Sequence, residues 1–169
     1  QFQDPSAGDG IFLDLICSIM NDLCKKYDIQ QEKDWERTHV RGFEINVDIL
    51  RKCEQKLMCF PTLVQSDYLH DQCHKKADII IANPPYVRQE LLQPNYKQNL
   101  RDKFQEEFPD VKISVRCDLY TYFLLKAFKN LDKNGVFTFI IPNSWMDNSY
   151  GEVVRQLFRD RIQLLSMTD

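Results

Sequence analysis

The chain has 169 residues, of which 43% are hydrophobic and 28% charged, and its formal net charge is -3. That length is sufficient for one domain with a buried core. No run of about 18 apolar residues occurs and no signal peptide opens the chain, which argues against a membrane span or export and favours a cytoplasmic protein. The mild acidity also argues against an autonomous nucleic-acid-binding domain, because such domains normally carry a basic face.

The first half of the chain alternates between strand-like and helix-like apolar spacing, which is typical of an α/β layer fold. A glycine-containing turn becomes an amphipathic helix, DPSAGDGIFLDLICSIMNDLCKKY, that ends near Lys25 and Lys26. After a polar loop, DIQQEKDWER, a second helix is predicted in NVDILRKCEQKLM, with Asn46 as its N-cap. Strands are predicted in HVRGFEI, TLVQSDYL and ADIIIA.

The second half begins with a polar insertion, VRQELLQPNYKQNLRDKFQEEFPDVKISVRC, which is longer than the usual connection. It leads into a helix, DLYTYFLLKAFKNLDKNG, that we expect to end with Gly135 at the C′ position. A strand in VFTFIIP, a helix in SYGEVVRQLFRD and a final strand in IQLLSMT complete the pattern. We therefore predict one domain over residues 1–169, built on a mostly parallel, twisted α/β sheet with helices on both faces.

Six cysteines are scattered along the chain without a CxxC pair, and we interpret them as free thiols of a cytosolic protein. One short segment, with His70, Cys73 and His74, offers three candidate zinc ligands. No fourth candidate lies nearby, and structural zinc sites normally use four protein ligands. We therefore predict no metal site.

Acidic residues lie at the ends of three successive predicted strands, of which the first is represented only by QFQ at the start of the chain. Asp4 opens a turn in which Gly8 and Gly10 would let the backbone approach a ligand closely, and its carboxylate could bind a cationic ligand group. Glu44 follows the second strand, where an acidic residue in a doubly wound fold accepts hydrogen bonds from ribose hydroxyls. Asp67 follows the third strand and could accept a hydrogen bond from an adenine amino group. Ligands of open α/β sheets bind along this carboxyl edge.

The fourth strand runs directly into Asn83-Pro84-Pro85-Tyr86. Proline ends a strand ladder, which explains the two prolines but not the residues that flank them. A chemical role explains all four. The Asn83 side-chain oxygen and the Pro84 carbonyl can accept hydrogens from a planar amine as charge develops on its nitrogen, and Tyr86 offers a flat face for stacking. We expect Gly8, Glu44, Asp67 and Asn83 to line one crevice at the carboxyl ends of the strands.

These features resemble the S-adenosylmethionine-dependent N6-adenine DNA methyltransferases of the NPPY (gamma) class. The matching motifs follow the family order and cover nearly the whole chain: DPSAGDGIFL, GFEIN, SDYL, DIIIANPPYV, DLYTYFLLKAFKNLDKNG and VFTFIIPNSW. NPPY followed by a long insertion is most similar to the large fused type II restriction-modification enzymes and related phage-defence methyltransferases. The resemblance implies a Rossmann-like methyltransferase fold, S-adenosyl-L-methionine as cofactor, and DNA with a flipped adenine as substrate.

Carried over residue by residue, the resemblance implies a cofactor site and a target site. Asn83, Pro84 and Tyr86 would hold the target adenine. Residues of the cofactor site would contact the methionine part (Asp4, Gly8, Gly10), the ribose hydroxyls (Glu44), the adenine amine (Asp67) and the adenine ring (Tyr68, Pro85, Phe123).

Other parts of the family pattern do not occur in the sequence. They are the upstream cofactor segment, the second stacking aromatic, the closing strands of the sheet and the target-recognition domain. We therefore expect a catalytic-domain fragment that is inactive by itself and lacks the antiparallel hairpin that would close its sheet. Two other functions stay open: methylation of a protein glutamine, such as one in a release factor, and a non-catalytic module with a degenerate site.

Overall fold

The computed structural model describes residues 1–71 and 76–168, which group into two compact units. The first unit contains residues 1–84 and 126–140, and the second contains residues 85–125 and the chain from Ile141 onward.

The first unit contains a five-stranded sheet in the order β3-β2-β1-β4-β5, and all four strand pairs are parallel. The strands are β1 (Phe2–Asp4), β2 (Val40–Glu44), β3 (Thr62–Gln65), β4 (Ala77–Ala82) and β5 (Leu131–Phe139). The predicted parallel α/β sheet is thereby confirmed. The chain moves outward from β1 to β3 and then returns to place β4 on the other side of β1, which creates a topological switch point between β1 and β4.

Six α-helices occur in the described residues. They are α1 (Ile11–Lys26), α2 (Trp35–His39), α3 (Val47–Lys56), α4 (Pro94–Glu107), α5 (Leu119–Asn130) and α6 (Glu152–Asp160). The sequence predicted helices in the segments that contain α1, α3, α5 and α6, and these four helices are confirmed. None of the helices in the described parts of the chain is long and apolar enough to cross a membrane.

Helices cover both faces of the sheet. Side chains of successive residues in a strand point to opposite faces of the sheet, so Ile80 and Ile81 of β4 lie on different faces. Ile81 packs against a cluster that includes Leu13 of α1 and Cys53 of α3. Ile80 packs with Ala127 of α5, in a cluster that also contains aromatic residues of β5. The expectation of helices on both faces is confirmed within this unit.

Gly135 does not end a helix, which corrects the sequence-based expectation. Helix α5 stops at Asn130, and residues 131–135 belong to β5, where the register with β4 shifts between Ala77 and Ile79. A Cβ atom on Gly135 would lie 2.7 Å from Leu131 Cγ and 3.0 Å from the Ala77 carbonyl oxygen. Glycine is required here because the strand passes close to its neighbours. A glycine that ends a helix at the C′ position looks the same in the sequence, although its structural role is different.

The predicted final strand, IQLLSMT, is also wrong for the described residues. Residues 162–168 contain no strand and pair with none of the described strands. Leu165 is 70% exposed in this segment. A β-branched or apolar run becomes a strand only when a neighbour satisfies its backbone groups, and the sequence pattern cannot report whether one is present.

The second unit gives the polar insertion a defined structure that the sequence did not reveal. Helix α4 buries Leu100 and Phe104, and the Phe104 ring lies 5.4 Å from the Tyr122 ring of α5. The Gln105 side chain donates to the carbonyls of Phe108 and Val111, and its oxygen accepts from the backbone N–H of Ile113. One amide side chain thus fixes the turn that follows α4.

The five cysteines in the described residues form no disulfide with one another, in agreement with the expectation of free thiols. Cys17, Cys53, Cys59 and Cys117 are buried. Burial raises the pKa of the Cys53 and Cys117 thiols to about 11, so both stay protonated at neutral pH.

The Asn46 N-cap of α3 is confirmed, because its side-chain oxygen accepts hydrogen bonds from the backbone N–H groups of Asp48 and Ile49. Replacing Asn46 with Ala removes both acceptors and should lower the free energy of unfolding by about 1 kcal/mol. Urea unfolding of wild type, Asn46→Ala and Asn46→Ser measures the effect. Serine can still cap, so Asn46→Ser should keep most of the stability, and equal losses in both variants would contradict the capping role.

Candidate active site

Parallel pairing brings the polar strand ends to one edge of the sheet. Asp4 pairs with Gly42 in the register of β1 and β2, and Glu44 ends β2 two residues later. Asp67 follows β3, and Asn83 follows β4. All of these residues therefore lie at the carboxyl edge of the sheet, on both sides of the switch point.

The glycine turn after β1 is held against the end of β2. The backbone N–H of Ala7 donates to the Phe43 carbonyl at 2.8 Å, and that of Gly8 donates to Glu44 Oε2 at 3.2 Å. Gly8 and Gly10 have φ values of 55° and 88°, in the left-handed region that glycine adopts without strain. A Cβ atom on Gly10 would also lie 2.8 Å from Cys53 Sγ, so the turn enters α1 at a point where only glycine fits.

Glu44 connects two backbone segments and keeps part of its hydrogen-bonding capacity. Its Oε2 accepts from Gly8 N, and its Oε1 accepts from Asn46 N at 2.9 Å. An ionised carboxylate offers about four lone-pair positions, so about two remain for other donors. The side chain is only half-buried and can therefore receive ligand hydroxyls without losing either backbone contact.

Asp4 is the most deeply buried acid at this edge, with 0% of its surface exposed. Its Oδ1 accepts from the backbone N–H of Ser6 at 3.0 Å, whereas Oδ2 has no hydrogen-bond partner among the described residues. Burial raises the pKa of the Asp4 carboxyl to about 7, opposed by the Ser6 hydrogen bond and assisted by the Glu44 charge. A buried acceptor without a partner is costly, and a cationic donor at Oδ2 would remove that cost.

Asp67 is held inside its own turn. Its Oδ1 accepts from Leu69 N at 3.0 Å, and its Oδ2 lies 2.7 Å from His70 Nδ1. Its main-chain oxygen accepts from the backbone N–H groups of His70 and Asp71. These contacts fix the carboxylate at the carboxyl edge of the sheet.

Tyr68 lies in the core instead of at the surface of the edge. Only 1% of the residue is exposed, its ring packs edge-on against Phe43 with centroids 5.1 Å apart, and its hydroxyl oxygen accepts from Asn130 Nδ2. These contacts give Tyr68 a structural role that the sequence did not indicate. Packing of its ring on a cofactor stays a prediction.

Asn83 and Pro84 complete the edge in the first unit. The Ser6 hydroxyl of the glycine turn donates to the Asn83 carbonyl at 3.1 Å, so the ends of β1 and β4 are joined directly across the switch point. Asn83 is exposed, whereas Pro84 is buried. Sequence reasoning assigned no role to Ser6, although its position inside the glycine turn of the DPSAGDGIFL motif was a usable signal.

Pro85, Tyr86 and Phe123 belong to the second unit. Tyr86 is 49% exposed and Pro85 is exposed, so both rings offer surface, while Phe123 on α5 is buried. The chain after Tyr86 is tied to the start of α5 by hydrogen bonds from Leu119 N to the Val87 carbonyl and from Gln89 N to Asp118 Oδ1.

Among residues 1–71 and 76–168, no three His, Cys, Asp or Glu side chains are grouped so that they could hold a metal ion. Cys73 and His74 lie outside the described residues. The absence of a metal site therefore stays a prediction.

The fold is that of the class I S-adenosylmethionine-dependent methyltransferases. The chain superposes on a Listeria monocytogenes protein assigned to that class with a TM-score of 0.64, at 16% identity, over 94% of this chain and 44% of the other. It superposes on the type IIL restriction-modification enzyme MmeI, solved in complex with DNA, with a TM-score of 0.62, at 16% identity, over 94% of this chain and 26% of the enzyme.

The chain belongs to the Eco57I restriction-modification methylase family, whose model matches residues 13–169. The type II methyltransferase M.BstVI of Geobacillus stearothermophilus is 26% identical over 98% of this chain and 32% of its own length. The chain thus spans about a third of the length of that relative.

From the raised pKa of Asp4 we predict how the free energy of unfolding depends on pH. In the unfolded chain the Asp4 pKa is near 3.8, whereas in the folded protein it is about 7. The neutral Asp4 carboxyl therefore makes its full contribution to the free energy of unfolding below about pH 4. This contribution is lost as the pH rises to about 7, by a total on the order of 4 kcal/mol. Asp4→Asn does not ionise and should escape this loss.

Urea unfolding of wild type and Asp4→Asn at several values between pH 4 and pH 8 measures the difference. The stability of the variant relative to wild type should rise up to about pH 7 and level off above it. A difference that does not change with pH would show that Asp4 titrates normally in the folded protein.

Proposed function

We propose that this chain is the catalytic part of an enzyme that transfers a methyl group from S-adenosyl-L-methionine to the N6 amine of adenine in DNA, within a restriction-modification or phage-defence system. The observation that carries the proposal is an intact Asn83-Pro84-Pro85-Tyr86 directly after β4, at the switch-point edge of a chain in the Eco57I family. This chain spans only about a third of the length of M.BstVI. The methyltransferase activity of a protein of that length is therefore also proposed, not observed.

The carboxyl edge fits the proposed cofactor. Asp4 Oδ2, a buried acceptor without a partner in the described residues, suits the ammonium group of a methionine moiety. Glu44 keeps acceptor capacity for two ribose hydroxyls, and the carboxylate of Asp67, fixed by its own turn, would accept a hydrogen from an adenine amine. When bound, S-adenosyl-L-methionine would supply a methyl group attached to a positively charged sulfur.

The role of the NPPY residues would be to favour positive charge on the target nitrogen. The lone pair of an aromatic amine is delocalised, so the amine is a weak nucleophile. The Asn83 side-chain oxygen and the Pro84 carbonyl would each accept a hydrogen from it, and these bonds strengthen as the nitrogen becomes cationic. The two prolines fix the backbone that carries both acceptors.

Tyr86 would hold the flipped base. An extruded base is captured by stacking on an aromatic ring, and the half-exposed Tyr86 ring offers such a face. The chain has a net charge of -3, so we expect DNA contacts here to be local, with most of the phosphate binding supplied elsewhere. The MmeI structure, a DNA complex of the same fold, supports DNA as the substrate class.

The first test concerns cofactor binding. Glu44→Gln loses the charge that its backbone partners and the ribose hydroxyls use, and a charged hydrogen bond contributes about 1.5–3 kcal/mol. The variant should therefore bind S-adenosylhomocysteine roughly 10- to 100-fold more weakly in calorimetry. Asp48→Asn is the matched control, because Asp48 is an exposed acid at the start of α3 whose side chain pairs only with Arg51 among the described residues. Equal affinity in all three proteins would remove Glu44 from the site.

The second test concerns chemistry and uses a protein that carries this domain at the length of its relatives. Asn83→Ala should lower kcat for methyl transfer from labelled cofactor to duplex DNA while cofactor affinity changes little, because the lost bond forms mainly in the transition state. Tyr86→Ala should weaken base capture, whereas Tyr86→Phe should be tolerated.

Turnover at the wild-type rate in Asn83→Ala would contradict the mechanism. Label incorporated into a glutamine of a protein substrate, with none in DNA, would contradict DNA as the substrate and favour protein methylation instead.

A further inference from the structure

A lysine is buried in the apolar helix α5, outside the residues assigned to the site. Lys126 is 5% exposed, and its Nζ donates to the Asp71 carbonyl at 2.8 Å. One helical turn later, Asn130 Nδ2 donates to the Tyr68 hydroxyl oxygen at 3.1 Å. Two polar side chains of α5 therefore hold the segment that follows β3 at two points, residues 68 and 71.

Asp67 starts that segment, and its position depends on residues 69 to 71. The Asp67 main-chain oxygen accepts from the backbone N–H groups of His70 and Asp71, and its Oδ1 accepts from Leu69 N. The Lys126 bond to the Asp71 carbonyl closes the same turn from the helix side. A shift of Asp71 would therefore move the Asp67 carboxylate with it.

Burying the Lys126 ammonium group costs free energy of desolvation, which argues for a role beyond packing. A desolvated ammonium group is strongly unfavourable unless it is hydrogen-bonded, and an apolar residue on the same helix face would avoid this cost. Its Nζ donates to the Asp71 carbonyl, which belongs to the turn that orients the Asp67 carboxylate. The Lys126 bond therefore supports the position of the Asp67 turn.

We propose that Lys126 is a positioning residue for Asp67 and thereby sets the preference of the cofactor site for a purine that carries a 6-amino group. The inference rests on the proposed function, since it concerns the base of the same cofactor. Loss of Lys126 should reduce the discrimination between amine-bearing and amine-free purines more than it reduces binding of the ribose and amino-acid parts.

The experiment compares two ligands on the 169-residue protein by calorimetry: S-adenosylhomocysteine, whose base carries the amine, and S-inosylhomocysteine, whose base has a carbonyl at the same place. Wild type should prefer the adenosyl ligand by about tenfold or more, the value of one charge-assisted hydrogen bond. In Lys126→Met this preference should fall to within about threefold, with little change in affinity for the inosyl ligand.

Lys76→Met is the matched control. The Lys76 ammonium also donates to backbone carbonyls of the α5–β5 segment, those of Lys129 and Leu131, but not to the Asp67 turn. It should keep the wild-type preference. If Lys126→Met does not unfold cooperatively, Lys126→Gln, which is neutral and shorter, replaces it with the same expectation.

The outcomes separate the inference from the proposed function. A Lys126 variant that binds both ligands with the wild-type ratio would overturn the role of Lys126 and leave the methyltransferase proposal in place. A wild-type protein that binds neither ligand would overturn cofactor binding by this chain and the inference with it. A merely structural role would weaken both ligands equally, which also contradicts the proposal.

Discussion

The structure depends on the parallel pairing of the three-residue strand β1 with both β2 and β4. Because β1 lies between strands that the chain reaches in opposite directions, the loops after β1 and β4 leave the sheet at one place and diverge. Two hydrogen bonds then fix the glycine turn at this place, one from Gly8 to Glu44 and one from Ser6 to Asn83. The candidate site is thus assembled by strand pairing and by hydrogen bonds between main chain and side chains.

The same edge concentrates negative charge in a partly desolvated place. Asp4 and Glu44 end strands, Asp67 follows β3, and Asp4 is buried with a pKa of about 7. An arrangement of this kind disfavours folding when it is empty and favours binding of donors and cations. A ligand with an ammonium group, vicinal hydroxyls and an aromatic amine would meet one acid for each of its polar groups.

Acids of the site are held by different kinds of support. Glu44 is fixed by two backbone N–H groups that donate to it, so local chain geometry orients it. Asp67 is fixed by its own turn, which is held in turn by Lys126 of a helix far along the chain. Removing a support of the second kind therefore changes the site without altering any residue assigned to it.

The sequence by itself determined the order of the strands and helices in the first unit for the most part, the parallel α/β sheet and the edge at which the polar residues meet. These depend on local signals: apolar periodicity for the helices and strands, an Asn46 side chain that caps α3, and glycines that allow the turn after β1. Tertiary structure decided the rest. Gly135 allows close packing in β5, and Tyr68 lies in the core. Lys126 donates a hydrogen bond to the Asp71 carbonyl of the Asp67 turn. The IQLLSMT segment pairs with none of the described strands. Each of these outcomes depends on a partner distant in sequence, and a local pattern carries no information about which partner the folded chain supplies.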